Sequence, residues 1–137
     1  MSGEDGQFDL AELGRWIDHA RSDRQLTWAA LSKQVGVAAS TIRRFSTASD
    51  AEADGVLALV AWLGVAPEQF VTSSRVTGVL LPPAGDGVIR VDMALVAPLL
   101  KGPRRARPGT RTTIQRLVAA AQAAEVSVAS LTRWSPI

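Results

Sequence analysis

The side chains that most often carry covalent or metal chemistry are nearly absent from this chain. Its 137 residues include one histidine, His19, and no cysteine. Without cysteine there is no disulfide and no thiolate zinc site, and one histidine cannot build a histidine metal cluster or a Ser–His–Asp triad. No carboxylate pair, nucleophile–base pair or phosphate loop is visible, so the sequence does not read as an enzyme and implies no cofactor and no metal. What remains is guanidinium chemistry. Arginine outnumbers lysine thirteen to two, and arginines gather at Arg43-Arg44 and at Arg104-Arg105-Ala106-Arg107. A guanidinium fork matches phosphate oxygens and the O6 and N7 acceptors of guanine, which points to nucleic acid; a solvated face is the plainer reading.

The charge distribution agrees with a polyanionic partner. Residues 1–74 hold six basic and ten acidic side chains, a net −4, whereas residues 75–137 hold nine and three, a net +6. The overall +2 conceals that split. No apolar run reaches membrane-spanning length, and the acidic start with Glu4 and Asp5 does not resemble a signal peptide. A cytoplasmic location and no membrane partner are expected. The arginine bias and abundant alanine fit a high-GC bacterial genome or its phage.

Helices must position these arginines. Phe8, Asp9, Glu12 and Leu13 have the spacing of a capping box with a hydrophobic staple, and Leu13, Trp16, Ile17 and Ala20 form one apolar stripe. That helix should run to about Arg24. Thr27 can cap a second helix bearing Trp28, Ala30, Leu31 and Val35, which ends at Gly36, where a sharp turn wants positive φ. A third short helix, Ser40–Phe45, would face Ile42 and Phe45 inward. Ser49 and Glu52 form another box spacing, before a helix through Leu57, Val60 and Leu63 that Gly64 stops. Pro67 suits the first turn of a last short helix, Pro67–Val71.

The stretch from Leu26 to Phe45, LTWAALSKQVGVAASTIRRF, resembles the Cro/C1-type (XRE) helix-turn-helix family, phage repressors included. The matching residues are Ala30 at the helix contact, Gly36 at the turn, Val37 after it and Ile42 in the core. Val60–Phe70 is similar to the family's closing helices, so the resemblance spans residues 8 to 71. Two positions depart from it: Ala38 stands where a Ser or Thr often caps the third helix, and Ser46-Thr47-Ala48 replaces an acidic-basic-glycine ending. The resemblance implies a third helix lying in the major groove of DNA. Carried over by position, Ala39, Ser40, Thr41, Arg43 and Arg44 would face the duplex. Thr27 and the Trp28 amide would hold a phosphate, while the Trp28 ring, Trp16 and Trp62 would pack in the core.

The expected organisation is mainly α: a five-helix domain at 1–74, a linker or short hairpin at 75–90, and a small helical C-terminal domain at 91–137. In the linker, Val76–Leu81 and Val88–Val91 flank Pro82–Gly87; a linker with some extended structure is favoured over a hairpin. Val91-Asp-Met-Ala parallels Phe8-Asp-Leu-Ala, with Asp92 as cap. Leu117–Trp134 aligns without gaps to Trp28–Phe45, pairing Val37 with Val126, Ile42 with Leu131 and Arg44 with Arg133, and Thr112 with Gln115 supplies a box before it. This reads as a degenerate second helix-turn-helix, with Arg133 on DNA, or as a plain helical dimerisation domain. The basic arm 102–111, interrupted by prolines and glycines, is expected to be exposed, with Arg104, Arg105 and Arg107 on a minor groove or on phosphates. Arg105-Ala-Arg-Pro108 is similar to the Arg-Gly-Arg-Pro core of AT-hook segments.

The function expected from these readings is sequence-specific binding to a double-stranded operator, as a transcriptional regulator and repressor, either a phage immunity repressor or a small bacterial regulator. The alternative is an antitoxin or adaptor using the same fold on a protein partner. A chain with two DNA-contacting units would act as a monomer, and a dimerising C-terminal half would give a homodimer on a palindrome.

Overall fold

The fold was taken from a computed structural model, which describes residues 7–82, 87–100 and 111–136. It is mainly helical, with six α-helices and one two-stranded antiparallel sheet among the described residues.

Helix α1, Leu10–Asp23, begins where Asp9 accepts the Glu12 amide at 3.0 Å. Only half of the expected box closes. The Asp9 amide donates to the Phe70 carbonyl at 2.8 Å, and the Glu12 carboxylate takes Arg15 and the Trp16 indole N–H instead. Those donors, Arg15 first, hold the Glu12 carboxyl below its ordinary range. Leu10, Leu13 and Ile17 are buried along the predicted stripe. Helix α2, Trp28–Val35, starts at Thr27, whose Oγ1 accepts the Ala30 amide at 3.0 Å, and stops at Gly36 with φ of 72°. Helix α3 is shorter than expected: Ala39–Arg43 is α-helical, and Arg44–Ser46 tightens into a 3-10 turn. Its anchors are the buried Ile42 and Phe45, and Phe45 lies against α1 where Gly14 leaves room.

Helix α4, Ala53–Leu63, is the centre of the molecule. Ala53, Val56, Leu57, Leu59 and Val60 are buried, and the helix packs on α1 and α2 as well as on elements from the other half of the chain. Gly64 ends it at φ of 76°, and Pro67–Phe70 follows as a 3-10 turn. Phe70 meets the rings of Phe8 and Trp16, with centroids 5.7 and 5.2 Å apart.

The box expected at Ser49 and Glu52 does not form. Glu52 is itself the residue before α4 and makes no side-chain cap, because its backbone forms an isolated bridge to Thr113. The Ala53 amide donates to Thr112 and the Ile114 amide to Ala51. The same pairing shifts the later cap by one residue: Thr113, not Thr112, caps helix α5, Ile114–Ala124, through the Arg116 amide. Thr112 is buried instead, with no hydrogen-bond partner for its hydroxyl oxygen among the described residues. Gln115 reaches back across the chain to the backbone of Phe8, accepting its amide at 2.9 Å and donating to its carbonyl at 2.7 Å.

Between these pieces lies strand β1, Gly87–Val91, followed by a one-turn helix, Met93–Val96, that Asp92 caps as expected. The partner of β1 is not Val76–Leu81. It is strand β2, Thr132–Pro136, in antiparallel register with Ile89 opposite Trp134 and Arg90 opposite Arg133. This corrects the second helix-turn-helix reading. Helix α5 and a left-handed turn at Glu125, φ of 57°, parallel α2 and Gly36. Only a 3-10 turn, Val128–Leu131, then follows, and Arg133 and Trp134 belong to a strand. Leu131 keeps its buried role, but β1 offers an open edge that recruits the next residues into a ladder. One apolar cluster contains Leu13, Leu57, Ile89, Leu117 and Leu131, so both halves share a core. No helix among the described residues is long and apolar enough to cross a membrane.

Candidate nucleic-acid interface

The local physics of Thr27–Ser46 puts a short helix on the surface with its polar side free. Gly36 allows a reversal that a side chain would strain, and Val37 then tucks against the core. Burial of Ile42 and Phe45, three residues apart, fixes the rotation of α3. Ser40, Thr41, Arg43 and Arg44 are consequently exposed, and Ala39 is half-buried. Neither Arg43 nor Arg44 joins an ion pair among the described residues. Thr27 is exposed at the start of α2; its oxygen accepts the Ala30 amide, which leaves the hydroxyl proton to donate elsewhere. Trp28 is half-buried against the core, with the Arg21 guanidinium 4.4 Å from its ring centroid. Trp16 and Trp62 pack against the core in the same way.

Thr41 also borders a groove of about 740 Å³ between the α2–α3 turn, the start of α4 and β1. Three guanidiniums line it, from Arg90, Arg111 and Arg133, together with the carboxylates of Glu52 and Asp54. Glu52 is engaged by Arg111 at 2.8 Å, which pushes the Arg111 guanidinium to still higher pKa, and Asp54 accepts the Val91 amide at 2.8 Å. Arg90 and Arg133 have no carboxylate partner among the described residues.

The structure therefore brings Ala39, Ser40, Thr41 and Arg43 together on α3 and Arg44 onto its 3-10 extension, with Thr27 and Trp28 opening the helix before it. Arg133 lies on β2, bordering the same groove as Thr41, rather than on a second recognition helix. Arg104, Arg105 and Arg107 lie outside the described residues. Sequence reasoning missed Arg90 and placed Arg111 only as the last residue of the basic arm, not as a groove residue paired with Glu52. The signal for Arg90 was its place between Ile89 and Val91, an alternation that turns it outward once both neighbours are buried. Among the described residues no cluster of three or more His, Cys, Asp or Glu could hold a metal ion. No protein-family model, curated protein or solved structure matches this chain.

Proposed function

We propose that this chain is a sequence-specific, double-stranded DNA-binding transcriptional regulator of the Cro/C1 helix-turn-helix type, acting as a repressor by occupying an operator. The observation that carries the reading is the pairing of roles within α3 and its 3-10 extension. Ile42 and Phe45 are buried while Ser40, Thr41, Arg43 and Arg44 are exposed just beyond a left-handed glycine. In a major groove, Arg43 and Arg44 offer planar forks to guanine, Ser40 and Thr41 offer hydroxyls, and Ala39 offers a methyl group to thymine. Thr27 and the Trp28 amide hold the flanking phosphate.

The test is a gel-shift with the DNA upstream of the protein's own gene against an unrelated duplex of equal length. Preferential retardation of the upstream DNA supports the reading; equal or absent retardation overturns it. An antitoxin or adaptor that grips a protein instead is favoured by the apolar side chains of Leu80 and Leu95, which are 62% and 49% exposed. That reading predicts no retardation of either duplex.

A further inference from the structure

Resting on that reading, we infer that the β1–β2 ribbon is a second DNA contact, in which Arg90 and Arg133 bind backbone phosphates of the duplex that α3 reads. Four observations converge. The two arginines are directly opposite one another in the ladder and both are exposed. Like charges at directly opposed positions destabilise a strand pair, so this placement works against the fold and calls for a bound anion. Both side chains border the groove that Thr41 also lines, and the carboxylates of that groove are already engaged by Arg111 and by the Val91 amide. Ile89 and Val91 are buried and β1 packs on α4, so Arg90 is presented by a strand fixed to the same helix that supports α2.

The charge balance supplies the fourth argument. Residues 1–74 carry net −4, and a duplex would repel that half on its own. Phosphate neutralisation dominates DNA affinity, so basic residues from the other half must come close to the backbone. Of the three guanidiniums from that half that border the groove beside α3, Arg111 is taken up by Glu52, and the ribbon supplies the other two. Its contribution is sequence-independent: it sets affinity and registration, while α3 sets discrimination.

The experiment is a fluorescence-anisotropy titration of the full chain with the upstream duplex and an unrelated duplex over a range of salt concentrations. Each phosphate contact contributes about 0.9 to the slope of log K against log salt, so replacing both arginines by Thr should flatten the slope by nearly two on both duplexes. The ratio of the two affinities should not change. Melting temperature should stay level or rise, since a like-charge pair is exchanged for a β-branched one. A Lys pair at 90 and 133 should restore the slope. An unchanged slope in the Thr pair, or a drop in melting temperature that Lys does not rescue, overturns the inference while leaving α3 as the reader, provided Arg44→Ala still lowers the ratio of the two affinities. Failure of the unaltered chain to bind either duplex overturns both.

Discussion

The carboxylate of Glu68, buried in the turn after α4, accepts the backbone amide of Val128 at 2.7 Å across sixty residues of chain. Its other oxygen accepts the Val79 amide at 3.3 Å. Val128 begins the last 3-10 turn before β2, so one acidic side chain from the first half sets the entry to the ribbon.

Replacing Glu68 by Ala would leave the buried Val128 amide without its acceptor, at a cost of about 1–3 kcal/mol. Urea unfolding followed by circular dichroism should show an earlier midpoint in a single transition, because both halves share the core. Two separated transitions would contradict the shared core.

Arg44→Ala should lose about 1–3 kcal/mol of operator affinity while keeping the helical dichroism, as expected for a base contact from an exposed residue. The comparison is with Arg43→Ala, which has the same exposure one position earlier. Unchanged affinity in both variants would mean that this face does not meet DNA.

Gly36 and Glu125 occupy equivalent turns with opposite sequence choices, at φ of 72° and 57°. An added Cβ at Gly36 meets nothing within 4 Å, so Gly36→Ala costs only backbone strain, about 1 kcal/mol. Glu125→Gly should relieve strain of the same order and raise the melting temperature. Thermal melts of the two variants shifting in the same direction would refute the comparison.

Gly87 is required for a different reason. A Cβ there would lie 2.5 Å from Cζ2 of Trp134 and would also collide with the Ser135 carbonyl. Gly87→Ala should therefore push the indole outward and loosen the end of the ribbon, read as a red shift in tryptophan emission. It should also leave the slope of log K against log salt nearly unchanged, since neither guanidinium is removed.

The start of α1 and both ends of α2 were legible because their signals are local. Asp9, Thr27, Gly36 and Gly64 each act on residues within one turn of themselves. The boxes at Ser49 and Thr112 misled for the same reason. Their spacing is correct, but residues 51–53 and 112–114 pair with each other, and a ladder between distant segments leaves no local trace. The exposed side of α3 could be read from the spacing of Ile42 and Phe45. The opposition of Arg90 and Arg133 could not, because cross-strand register between segments forty residues apart is decided only when β1 docks on α4 and β2 pairs with it.

That docking has a practical corollary for anyone trimming the protein. A fragment ending near residue 74 would keep every group assigned to base reading, yet it would bare the flank of α4 that β1 and α5 cover. It would also forfeit the Gln115 clamp on Phe8. Such a fragment should be sticky and poorly ordered at α1, so the proposed reading helix is not portable: its platform holds only while residues 87–100 and 111–136 are folded over its back.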